Sequence, residues 1–353
     1  MVYGTNIDQG VIFLNNLIEV EKLLVPEMLD LLELRYDILS NIFTNEPIGR
    51  RVLSINLKMG ERIIRKEVDR LKECRLVKIE PSGMILTEEG IEVVKKAEDI
   101  IHNIRGLSRL ECELREKLNL EKVIIVPGDS EKDNLVKEQL GLAAGQYLKE
   151  ILKDNCRIAI TGGTTVKKVV DNTPIIANHK NVNVLPARGG IGKNVNIQAN
   201  TLTAALAEKL RASYSLLHLD DNISNETLNI MMKEKQIRRV TENYDKLDIL
   251  LFGIGKAEEM AERRGLTQEK IVKIKEAGAF GEAFGYYFDD KGNIVYSSTT
   301  VGIKINQIRN IKHRIAVSAG KSKARAIASV LKFNSGIVLI TDEAAARELL
   351  SIL

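Results

Sequence analysis

From Leu120 to the C-terminus, seven short apolar runs of strand type alternate with segments whose apolar residues recur at helical spacing. The runs are Val123–Val126, Arg157–Thr161, Val182–Leu185, Ser213–Leu219, Asp248–Phe252, Ile315–Ser318 and Gly336–Thr341. A strand that passes through a helix before the next strand rejoins its sheet as a parallel neighbour. The alternation therefore predicts an α/β fold of Rossmann-like type, a parallel sheet with helices on both faces. In such sheets ligands bind beyond the carboxyl ends of the strands, where the connecting loops converge.

Four of those loops carry glycine: Gly162-Gly-Thr-Thr165, Pro186-Ala-Arg-Gly-Gly190, Gly253-Ile-Gly255 and Ala319-Gly-Lys-Ser-Lys323. Glycine lets the backbone turn with positive φ and approach a ligand closely. Thr164 and Thr165 stand at the head of the following helix, beside its unpaired N–H groups, where free amides and the positive end of the helix dipole together attract an anion. Arg188 adds a bidentate fork and Lys323 a point charge, both suited to phosphate. Taken alone, Gly-Gly-Thr-Thr is more simply a strand-to-helix turn with a threonine cap. Three such loops after strands of one sheet point instead to a phosphorylated small ligand. A nucleotide-hydrolysing phosphate loop is not expected, because the first of its glycines is missing ahead of Gly320-Lys-Ser322.

The front of the chain has a different texture. Leu34–Phe43 reads as a helix, Asn45-Glu-Pro-Ile48 as a breaker, Gly49–Leu57 as a short helix, Lys58-Met-Gly60 as a turn and Glu61–Cys74 as a longer helix. Two short helices joined by a glycine-bearing turn make a helix-turn-helix. In the last helix Ile64, Val68 and Leu71 share one face and should be buried, while Arg62, Arg65, Lys66 and Asp69 share another. Leu76–Ile79 and Met84–Thr87, joined by Glu80-Pro-Ser-Gly83, read as a wing. From Arg50 to Lys78 ten Lys or Arg stand against four Asp or Glu, although Met1 to Cys112 as a whole has sixteen against nineteen. The positive charge is thus concentrated on the helix-turn-helix, as in a reader of duplex DNA, with Arg50, Arg51, Arg62, Arg65, Lys66 and Arg70 as the candidate contacts. The bland reading is a solvated basic helix in a winged fold used for protein contacts.

Glu89 to Leu118 continues as one helical pattern, with Gly106 a plausible break. The expected organisation is a winged helix-turn-helix over 1–89, a linker helix over 90–118 and an effector-binding and oligomerisation domain over 119–353; residues 1–13 carry no pattern. Cys74, Cys112 and Cys156 are too few and too scattered for a zinc site or a disulfide framework, so no metal is expected. With no apolar run near the roughly 18 residues needed to cross a bilayer, and no basic signal-peptide region, the chain reads as cytoplasmic.

The winged helix, Glu46-Pro-Ile-Gly-Arg-Arg51, Gly162-Gly-Thr-Thr165, Pro186-Ala-Arg-Gly-Gly190, Gln198-Ala-Asn200, Ala261-Glu-Arg-Arg264, Gly278-Ala-Phe-Gly-Glu282 and Gly320-Lys-Ser-Lys323, in that order, resemble the SorC family of bacterial sugar-responsive transcription regulators. The resemblance implies an effector domain similar to sugar-phosphate isomerase and deaminase folds. It also implies a repressor of glycolytic genes, a homo-oligomer (dimer or tetramer) that fructose-1,6-bisphosphate or a related sugar phosphate releases from a double-stranded operator, with no cofactor besides that effector. Gly163, Thr164, Thr165, Arg188, Gly189, Gln198, Arg263, Glu282 and Lys323 match the family's ligand contacts; Glu282 would accept from sugar hydroxyls, and the neighbouring Arg264 leaves the arginine register open by one. The rival is an active sugar-phosphate isomerase or deaminase fused to a winged helix, with His218, Asp220, Asp221 and Glu282 as candidate acids and bases.

Overall fold

The computed structural model describes residues 20–190, 194–219, 225–298 and 301–353; residues 1–13 and the pair Asp220-Asp221 lie outside them. The chain divides into two compact units, the first ending at Arg109 and the second running from Leu110 to Leu353.

In the first unit the helix Pro26–Asn45 begins well before Leu34, with proline in its first turn, where the missing N–H costs no hydrogen bond. Helices Arg50–Asn56 and Glu61–Glu73 follow, then β1 (Val77–Glu80) and β2 (Gly83–Leu86), paired antiparallel as a wing. Ile48 bridges to Met84 and gives the wing a third edge. Ile64, Val68 and Leu71 are buried with Ile38, Ile42, Leu53 and Met84 in one core. Glu67 is buried too, where a carboxylate would be costly without a partner; Arg35 Nε donates to it at 2.9 Å and so ties the first helix to the third. The pattern from Glu89 to Leu118 is two helices, Glu88–Ile104 and Leu107–Lys117, parted at Gly106, whose φ of +69° no side chain adopts easily.

The second unit is built on a seven-stranded sheet: β3 (Lys122–Val126), β4 (Arg157–Ile160), β5 (Asn183–Pro186), β6 (Ser213–Tyr214), β7 (Ile249–Gly253), β12 (His313–Val317) and β13 (Ile337–Asp342). Every pairing is parallel, in the order β3-β13-β12-β7-β4-β5-β6. Helices on the faces leave the central strands buried along their length, and β13 is buried at all six residues. One expected strand is shortened: Ser213–Leu219 pairs only over Ser213–Tyr214. Beyond it the Asn200 side chain takes both polar groups of Leu217, accepting from its N–H at 3.0 Å and donating to its carbonyl at 2.9 Å, so no ladder is needed there.

A second sheet was not legible in the sequence. β8 (Gly255–Lys256), β9 (Gly281–Ala283), β10 (Tyr286–Phe288) and β11 (Ile294–Ser297) form an antiparallel sheet in the order β11-β10-β9-β8. Together with helices Ala257–Arg263 and Gln268–Glu276 it encloses a small core of its own around Ala261, Ile271, Ile274 and Tyr287.

Candidate functional site

The order β12-β7-β4-β5 sets where the second unit can bind anything. From β4 the chain runs outward to β5 and β6 and then returns to β7 on the other side of β4. Loops leaving β4 and β7 therefore diverge and open a crevice at their carboxyl ends. A cavity of about 960 Å³ lies there, and Gly163, Thr164, Thr165, Arg188, Gly189, Gln198, Arg263, Glu282 and Lys323 all line it. Six segments distant in sequence are brought to one space.

The β4 loop needs glycine twice, for different reasons. A side chain on Gly162 would meet the Ile197 carbonyl oxygen at 2.5 Å, while Gly163 faces open space but holds φ at +121°. Gly163 N–H donates to the same Ile197 carbonyl at 2.9 Å, which seats the helix Thr164–Asn172 with its first turn at the cavity. The β5 loop is fixed from three sides. The buried Tyr244 hydroxyl donates to the Pro186 carbonyl (2.8 Å), Gly189 N–H donates to Val301 (2.8 Å), and Ile303 N–H donates to Ala187 (2.9 Å). Arg188 is thereby held almost fully buried at the cavity wall.

The loop after β12 hangs on two carboxylates. Buried Asp342 accepts from Ser130 N–H (2.7 Å), Gly320 N–H (3.0 Å) and Ala345 N–H (3.1 Å), and Glu131 accepts from Ser322 N–H (3.2 Å). This presents Lys323 to the cavity. Burial pushes its ammonium below the ordinary lysine range; Glu259 and Glu131 oppose that shift, whereas Arg263 and Lys256 add to it.

The small sheet supplies the opposite wall. Glu282, on β9, is buried, and its Oε1 accepts from Arg264 Nη2 at 2.7 Å and from Gly285 N–H at 2.6 Å, with Arg188 Nη1 at 3.7 Å. Burial alone would raise this carboxyl, but Arg264 and Arg188 beside it hold it below the usual carboxylate range. Of the two arginines closing the helix Ala257–Arg263, Arg264 is buried against Glu282 and Arg263 is exposed at the rim. The sequence also missed Phe284, whose ring lines the cavity and lies 4.6 Å from that of Phe252.

Among the described residues the acid–base set of the rival enzyme reading does not assemble. His218 is exposed and does not line the cavity, Glu282 Oε1 is bound to an arginine and a backbone amide, and Asp220 and Asp221 lie outside the described residues.

In the first unit Arg51, Arg62, Arg65, Lys66 and Arg70 are exposed, and Arg50 is half-buried. Arg50 pairs with Asp69 and Arg70 with Glu73, each at 2.8 Å. Arg51, Arg62 and Arg65 make no ion pair among the described residues, and Lys66 has only a long one, 3.9 Å to Glu67, so the face shared by Arg62, Arg65 and Lys66 keeps net positive charge.

A winged helix-turn-helix with a basic third helix, joined in one chain to a parallel α/β unit with a cation-lined cavity, is the build of a ligand-responsive transcription regulator. Comparison with known proteins gives the same class. The family described as "CggR N-terminal DNA binding domain" matches residues 31–101, and that described as "Putative sugar-binding domain" matches residues 102–351. The central glycolytic genes regulator of Priestia megaterium is 42% identical over 338 residues, covering 95% of this chain and 98% of its own; that of Bacillus subtilis is 40% identical, covering 96% and 99%. A crystal structure of a "putative SorC family transcriptional regulator" from Enterococcus faecalis superposes with a TM-score of 0.65 at 33% identity, covering 69% of this chain and 99% of its own. The full-length sorbitol operon regulator of Klebsiella pneumoniae shares the fold, with a TM-score of 0.63 at 20% identity over 91% of this chain. The chain belongs to the SorC family of sugar-binding, DNA-binding transcription regulators.

Proposed function

We propose that this protein represses glycolytic genes by binding a duplex operator as a homo-oligomer, and that fructose-1,6-bisphosphate releases it. The observation that carries this reading is the spacing of the anion-suited loops. The helix terminus after β4 and the lysine loop after β12 are separated by one strand, β7. With neighbouring strands about 4.8 Å apart, the two loops stand about 10 Å apart, the reach of a six-carbon sugar with a phosphate at each end. One phosphate takes the amides and hydroxyls at Thr164 and Thr165; the other takes Lys323 and Arg263. Arg188, at the cavity wall with its Nη1 3.7 Å from Glu282, turns its guanidinium to phosphate, while Gln198 and the Glu282 wall meet sugar hydroxyls.

On the DNA, Arg62, Arg65 and Lys66 enter the major groove, with Arg50, Arg51 and Arg70 contributing to the phosphate backbone, as expected for the second helix of a helix-turn-helix. The relatives named as central glycolytic genes regulators support the choice of target genes. The cavity is built wholly from the second unit and the reading helix from the first, so sugar and DNA do not compete for the same side chains. The sugar must act by binding two arrangements of the protein unequally.

Operator titrations of wild type and Arg188→Ala, each with and without fructose-1,6-bisphosphate, test the reading. The variant should bind operator as wild type does and need at least tenfold more sugar for release. A folded variant released at the wild-type sugar concentration overturns the assignment.

A further inference from the structure

The cavity holds an acid that binding of a phosphorylated sugar does not call for. Glu259, in the first turn of the helix Ala257–Arg263, lines the cavity with its carboxylate 3.2 Å from Lys256 Nζ. Among the acids acting on the Lys323 ammonium its influence is the largest. Glu131, the other acid near that lysine, is committed to the Ser322 amide and helps to hold the loop itself. Glu259 accepts from no backbone amide among the described residues; its contact is a cation in the cluster formed by Lys256, Arg263 and Lys323. Arg263 and Lys323 line the cavity and Lys256 stands beside it; these like charges repel one another, and a nearby carboxylate offsets that repulsion when no ligand does.

We propose that Glu259 is a built-in counter-ion standing where the second phosphate of the effector goes, and that its displacement sets the concentration at which a bisphosphate is sensed. This rests on the effector reading given above. A sugar with one phosphate anchors at Thr164 and Thr165 and leaves Glu259 with the cations. A second phosphate that engages Lys323 and Arg263 enters beside this carboxylate and meets its like charge, so part of the binding energy goes to moving the carboxylate aside. Removing the carboxylate's charge should thus tighten bisphosphate binding and leave monophosphate binding nearly as it was.

Calorimetric titrations of the full chain with fructose-1,6-bisphosphate and fructose 6-phosphate test this in wild type, Glu259→Gln and Glu258→Gln. The last carries the same change of charge one residue away, on a side chain paired with Lys275 outside the cavity. Expected are a gain of about tenfold for the bisphosphate in Glu259→Gln, a change under about twofold for the monophosphate, and wild-type affinities in Glu258→Gln. Equal gains for both sugars, the same gain in both variants, or no gain overturns the counter-ion role while leaving the effector site standing. If wild type binds neither sugar, the effector reading falls and the counter-ion role falls with it.

Discussion

Arg65 and Arg264 are both arginines on short helices, and their surroundings give them opposite work. Arg264 is buried against Glu282, and removing either partner would take a buried ion pair out of a low-dielectric wall. Arg65 is exposed and makes no ion pair among the described residues, so its charge is available to a polyanion. Arg65→Ala should weaken operator binding by about 1–3 kcal/mol if the side chain reads a base edge, or lower the salt slope by about one unit if it meets a phosphate. Fluorescence titrations at several salt concentrations distinguish these, and an unchanged affinity and slope would remove Arg65 from the interface. The difference between Arg263 and Arg264 was beyond the sequence, because both fit the helical pattern. Burial there is decided by which residue closes the helix facing Glu282, a tertiary fact.

The hairpin joining β9 and β10 has the two-residue loop Phe284-Gly285, with φ of +59° and +89°. These are the angles of a type I′ turn, which matches the right-handed twist of the strands and normally begins with Asn, Asp or Gly. Phenylalanine there carries about 1–2 kcal/mol of backbone strain, offset by burial of its ring at the cavity wall beside Phe252. Phe284→Gly should keep the turn and relieve that strain while losing a buried ring, normally about 3–5 kcal/mol. The net loss of stability should be about 1–4 kcal/mol, read from denaturant melts, with weaker sugar binding. A variant as stable as wild type and equally responsive to sugar would show that the ring contributes nothing to either. The hairpin also shows where sequence reading stops. The seven parallel strands announced themselves as continuous aliphatic runs, because helices cover both faces. β8 and β9 are two and three residues long and contain glycine, and a phenylalanine in place of the usual turn residue removed the hairpin signal. The loops carrying Gly163, Thr164, Thr165, Arg188, Gly189 and Lys323 were legible from glycine, threonine and cation content, whereas Gln198, Arg263 and Glu282 came only through the family resemblance; Glu259 and Phe284 were not legible, since an acid near a lysine and an aromatic in a turn are ordinary in a sequence.

At the scale of the whole chain, the break at Gly106 and the division at Arg109 assign the helix Leu107–Lys117 mainly to the second unit. Glu111 accepts from Ile125 N–H at 2.8 Å, joining that helix to β3, and Leu110 and Leu114 are buried. A fragment of residues 106–353 should fold and melt higher in the presence of fructose-1,6-bisphosphate. One beginning at residue 119 should be less stable by several kcal/mol, at roughly 1.5–3 kcal/mol for each leucine left without its burial. Thermal melts of the two fragments with and without sugar decide this; an insoluble longer fragment, or one indifferent to sugar when the full chain responds, would mean that the two units fold as one. The walls of the cavity have a consequence on a longer timescale. The anion loops ride on the seven-stranded sheet, while Glu259, Phe284 and Glu282 ride on or beside a small sheet packed about a core of its own. Substitutions in that smaller piece can accumulate without disturbing the strands that hold the phosphate loops. A lineage descending from this protein can therefore change the part of the cavity wall that this piece supplies, Arg263 included, while inheriting the Gly162–Thr165 loop unchanged, and divergence after a gene duplication should be concentrated between residues 255 and 298.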